Sequence, residues 1–138
     1  MNTKTRLLLS EFGKKLKMNI SSNREVIIMT TTSGREYWLE IPNKSPLLVI
    51  HTTLIENAAA HANISEMTKW LSINTCTDTM KGAWIGTHAE TNSVKLCVAL
   101  PVDFTSVEIL EMAFKNLMDL AENFLKNSNN AGKHIQSN

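Results

Sequence analysis

The spacing of apolar residues switches between a period near four and a period of two along the chain, and each switch marks a predicted element. Over residues 3–18, Leu8, Phe12 and Leu16 recur every four positions with Leu9 beside them, while Lys14, Lys15 and Lys17 form a wet face, so this segment predicts an amphipathic helix. Val26–Thr32 is rich in β-branched residues and ends at the turn signal Ser33-Gly34. Tyr37–Ile41 then alternates, with Tyr37, Leu39 and Ile41 on one face and Trp38 on the other. Pro42 and Pro46 bracket a loop before a third strand, Leu47–Leu54. Residues 56–62 read equally as loop or helical turn. Asn63 or Ser65 can cap a helix reaching about Asn74, with Ile64, Met67 and Trp70/Leu71 along one stripe. Strands at Gly82–Gly86 and Val94–Leu100 follow, joined by a polar link. A last helix, capped by Ser106, carries Val107, Leu110, Phe114, Leu117, Ala121 and Phe124 at three- and four-residue steps. Residues 127–138 have no periodicity and are expected to be a disordered tail on a domain spanning 1–126.

The resulting order, α-β-β-β-α-β-β-α with hairpin-type links, predicts an α+β domain: an antiparallel twisted sheet of about five strands with three helices. Its first three strands are apolar on both faces. Val26 and Ile28 oppose Ile27 and Met29, and Leu47 and Val49 oppose Leu48 and Ile50. Such a sheet needs a helix on one face and a second cover on the other, which three helices of its own could partly supply.

Composition changes this picture little. The 138 residues are 43% hydrophobic and 20% charged, with a net charge of +1. A chain of this size buries about two-thirds of its unfolded surface without a metal or disulfide staple. The charge gives no global reason to bind nucleic acid or a membrane. Three leucines near the start are too short for a signal peptide or a membrane span, so a cytoplasmic protein with reduced Cys76 and Cys97 is expected.

Candidate chemistry is sparse. His51, His61, His88 and His134 are scattered without metal-ligand spacing, and no nucleotide-binding loop is present, so no cofactor or metal is expected. One enzymatic alternative remains: a small α+β hydrolase using His88 or Cys97, which would lie on adjacent strands. Cys97 sits in an apolar run, where a buried free thiol is the commoner reading. Arg6 with the lysine face of the first helix is the best nucleic-acid candidate, but no aromatic interleaves to stack bases.

Several stretches carry a resemblance. Leu7-Leu8-Leu9-Ser10-Glu11-Phe12-Gly13 opens the chain; Trp70-Leu71-Ser72-Ile73-Asn74 precedes Gly82-Ala83-Trp84-Ile85-Gly86; Val94–Leu100 ends in Leu-Pro ahead of the long helix. In order and spacing, over nearly all of residues 3–126, this resembles the class I type III secretion chaperones of bacteria. Members of that family are typically acidic, which this chain is not. The resemblance implies a non-enzymatic homodimer that binds the N-terminal segment of secreted effector proteins in extended form. It implies effector-binding grooves from the first helix and first three strands, involving Leu8, Leu9, Phe12, Val26, Ile28, Tyr37, Trp38, Leu39, Leu47 and Val49. It implies a dimer interface around the second helix and later strands, involving Ile64, Met67, Trp70, Leu71 and Trp84. Whether the secretion-system ATPase is also a partner stays open, as does a generic protein-interaction adaptor outside secretion.

Overall fold

The computed structural model describes residues 3–16, 19–23, 26–42, 44–57 and 63–136, with side chains for all of these except 19–23 and 127–136. Residues 58–62, read from sequence as loop or helical turn, and Lys17 of the basic helix face lie outside the described residues. The elements are α1 (Thr3–Leu16), β1 (Asn19–Asn23), β2 (Val26–Thr30), β3 (Glu36–Glu40), β4 (Leu47–Ile55), α2 (Ile64–Ile73), a short α3 (Thr77–Met80), β5 (Trp84–His88), β6 (Ser93–Pro101) and α4 (Val107–Gln136). A single 3₁₀ turn, Val102–Phe104, joins β6 to α4.

All strand pairs are antiparallel, in the order β1-β2-β3-β4-β6-β5. The predicted antiparallel α+β sheet is therefore present, with β1 as an additional edge strand. That strand, Asn-Ile-Ser-Ser-Asn, has almost no apolar alternation to announce it. The β2–β3 turn closes at Gly34, whose φ of +89° suits glycine and whose N–H donates to the Thr31 carbonyl at 2.9 Å.

Register sorts the doubly apolar strands into two faces. Ile27 pairs with Leu39 and Met29 with Tyr37. Leu48, Ile50 and Thr52 pair with Leu100, Val98 and Leu96. These side chains form the inner face, and α1 and α4 pack on it. From α4, Val107, Leu110, Phe114, Leu117 and Ala121 are buried, the periodicity read from sequence. Phe114 is the pivot: its ring meets Phe12 of α1 edge-on at 5.8 Å and Tyr37 of β3 at 5.1 Å. Burial around Tyr37 pushes its phenol pKa up to about 12, with Arg35 partly opposing.

Capping follows the sequence closely. Asn63, rather than Ser65, caps α2 by accepting the Glu66 N–H at 2.9 Å. Ser106 accepts the Ile109 N–H at 3.2 Å at the start of α4. Helical backbone continues past residue 126, where the sequence pattern placed the start of a disordered tail, as far as Gln136.

Candidate functional site

Three surfaces of the chain stand out, and all are apolar or mixed. The first is the outward stripe of α2. This helix buries no residue completely: Trp70 and Ile73 lean on the core, while Ile64, Met67 and Leu71 point away, at 83%, 42% and 65% exposed. Spacings of three and four put the exposed trio on one side. Trp84, 40% exposed, projects from the outer face of the adjacent edge strand.

The second surface is the outer face of the sheet. Val26, Ile28, Trp38, Val49 and Cys97 are half-buried there, and Leu47 is 38% exposed. Its centre holds a polar chain. The Trp38 indole stacks on His51 at 5.5 Å, and the Lys95 ammonium lies 4.9 Å above the Trp38 ring. Lys95 Nζ lies 3.3 Å from His51 Nδ1, and His51 Nε2 lies 3.2 Å from Glu40 Oε1. The arrangement fits a neutral imidazole, with Nδ1 accepting from Lys95 and Nε2–H donating to Glu40. Burial lowers the His51 pKa, with Lys95 adding to the effect and Glu40 opposing it.

The third surface surrounds the junction of α1 and α4. Leu7, Phe104 and Met112 are 60%, 82% and 59% exposed. Lys15 of α1 lies 3.6 Å from both Glu108 and Glu111, so this lysine of the basic helix face is tied to α4. None of these three apolar residues belonged to a predicted stripe; exposure alone reveals them.

Of the positions expected in grooves, Leu9, Phe12, Tyr37 and Leu39 are core side chains, at most 6% exposed. Register puts Tyr37 and Leu39 on the inner face, where α4 covers them, and Leu9 and Phe12 lie on the side of α1 that joins the same core. Leu8, Val26, Ile28, Trp38, Leu47 and Val49 keep accessible surface. All five positions expected at a dimer interface keep exposed or half-exposed surface as well.

The enzymatic pairing does not assemble. His88 pairs in register with Ser93, whereas the cross-strand neighbours of Cys97 are Trp84 and His51. Burial raises the Cys97 thiol pKa and lowers that of His51, the opposite of what a thiolate–imidazolium couple requires. Among the described residues, no group of three His, Cys, Asp or Glu could hold a metal ion. No described helix is long and apolar enough to cross a membrane.

Residues 7–125 match the model of the Tir chaperone protein (CesT) family. No curated protein matches this chain in sequence. In fold the chain is similar to a chain of the HopA1–SchA chaperone–effector complex, with a TM-score of 0.72 at 15% identity, covering 89% of this chain and 94% of that one. It is equally similar to a chain of the ExsC–ExsE complex, with a TM-score of 0.72 at 17% identity, covering 91% and 96%. A third likeness is to the Yersinia pestis type III secretion chaperone SycH in complex with a fragment of YscM2. Its TM-score is 0.57 at 17% identity, covering 88% and 98%.

Proposed function

The chain belongs to the Tir chaperone protein (CesT) family, and on that premise we propose that it is a type III secretion chaperone working as a cytoplasmic homodimer. It holds the N-terminal segment of a secreted effector in extended form and keeps that protein competent for export. It performs no catalysis. The observation that carries this reading is the amount of apolar surface left open on a protomer whose core is otherwise closed, above all Ile64 and Leu71 of α2 and Phe104 beside α4. A monomer gains nothing from such surface, whereas protein partners do.

Two partners take the α2 stripe and the outer face of the sheet. The α2 stripe of Ile64, Met67 and Leu71, with Trp84 nearby, packs across a two-fold axis against a second copy. The half-covered outer face, with Leu8 at the flank of α1, receives apolar side chains of the bound segment. Ordering an unfolded segment is costly in entropy, so a large contact area is needed to offset it. Such surfaces extend along both α1 and the sheet.

The test is purification of the tagged chain from its own host under secretion-inducing conditions, with the mass of the complex determined. The expected species contains two copies and one exported protein, held by its N-terminal region. Recovery of a lone monomer would sink the proposal and return attention to an adaptor or an enzyme.

A further inference from the structure

A sheet edge is a ready template for another strand, and this sheet ends at β1 on one side and β5 on the other. The β5 edge is not open. Strand alternation points the backbone groups of Ala83, Ile85 and Thr87 away from β6. The Ile85 N–H donates to Asn74 Oδ1 at 2.7 Å, and Asn74 Nδ2 donates to the Ile85 carbonyl at 2.9 Å. The Ala83 N–H donates to the Met80 carbonyl at 2.9 Å. The Asn74 carboxamide presents an N–H and a C=O side by side to the N–H and C=O of Ile85, so it stands where a residue of a neighbouring strand would stand.

The lock is held from a rigid base. Asn74 is the C-cap of α2, with α-helical φ and ψ of −59° and −25°, and its own N–H bonds back to the carbonyls of Leu71 and Ser72. Thr87, one residue from the end of β5, is the remaining outward position of that strand.

We propose that Asn74 is a specificity-determining residue that terminates the sheet. By occupying the outward groups of Ile85, it turns extended polypeptide, a client strand included, away from the β5 edge. The statement about a client strand rests on the chaperone reading; the lock itself does not, and it is tested on this chain alone.

The experiment compares Asn74→Ala with the unaltered protein by amide hydrogen exchange and by mass in solution across a concentration series. Losing one net hydrogen bond predicts exchange at the Ile85 amide about fivefold faster or more. The unmasked edge predicts concentration-dependent species heavier than those of the unaltered chain. Adding Thr87→Pro, which blocks the edge without removing a bond to β6, returns the mass to normal while Ile85 exchange stays fast. Leu110→Ala serves as a destabilised control and gains no heavier species. If Asn74→Ala does not fold, Asn74→Asp is read by mass in solution alone, since it keeps the acceptor of the Ile85 N–H and loses only the donor to the Ile85 carbonyl. Unchanged masses at every concentration, assembly that Thr87→Pro leaves intact, or equal assembly by Leu110→Ala would each overturn the proposal.

Discussion

If the proposed homodimer packs through the α2 stripe, replacing Leu71 by aspartate breaks the dimer and spares the fold. Full burial of a leucine side chain is worth about 1.5–3 kcal/mol. Leu71 is 65% exposed in the protomer, so burying the remainder contributes about 1–2 kcal/mol per copy. A two-fold axis counts every interface residue twice, giving about 2–4 kcal/mol per dimer. The dimer dissociation constant should therefore rise by roughly 30- to 1,000-fold, before the added cost of placing a carboxylate in an apolar contact. The protomer should hardly notice, because Leu71 contributes little to its core. Sedimentation velocity across a concentration series measures the dissociation constant, and chemical unfolding of the dissociated protein measures protomer stability. A dissociation constant that does not move, or a protomer that loses several kcal/mol, would refute the assignment of this stripe to the dimer.

Further expectations follow from the packing and charges. Phe114→Ala removes a fully buried ring contacting both Phe12 and Tyr37, and should cost about 3–5 kcal/mol in urea unfolding; a loss under ~1 kcal/mol would contradict the pivot. The lowered pKa of His51 means that the unfolded chain binds its proton first. Its contribution to stability is therefore complete above the unfolded value of about 6.5 and is lost as pH falls through the lower folded value. His51→Gln should flatten that decline in melts recorded between about pH 7 and 5, and an unchanged slope would remove His51 as the cause. Deleting residues 127–138 should leave unfolding within about 0.5 kcal/mol, because among the described side chains the buried stripe of α4 runs from Val107 to Ala121 with Phe124 packed beside it; a larger loss would give the end of the helix a structural role.

The sequence by itself determined the elements whose pattern repeats. The α4 stripe, the Ser106 cap and the β2–β3 hairpin all follow from spacing and local hydrogen-bonding chemistry, which need no knowledge of distant residues, whereas the choice of Asn63 over Ser65 as the α2 cap came from the structure. The strand β1 was not legible, because Asn-Ile-Ser-Ser-Asn has neither alternation nor β-branched density and owes its conformation to pairing with β2. Fully apolar strands such as Leu47–Ile50 could not declare which face they bury, since both parities are equally hydrophobic. Register against β6 and coverage by α4 decided that Leu48 and Ile50 go inward while Leu47 and Val49 stay outward. The same choice drew Tyr37 and Leu39 into the core and left Trp38 outside. Only tertiary structure brought Glu40, His51 and Lys95 together from three strands. It alone also set the Asn74 carboxamide against Ile85, eleven residues away. Contacts between distant segments depend on how elements dock, and periodicity along the chain carries no trace of that docking.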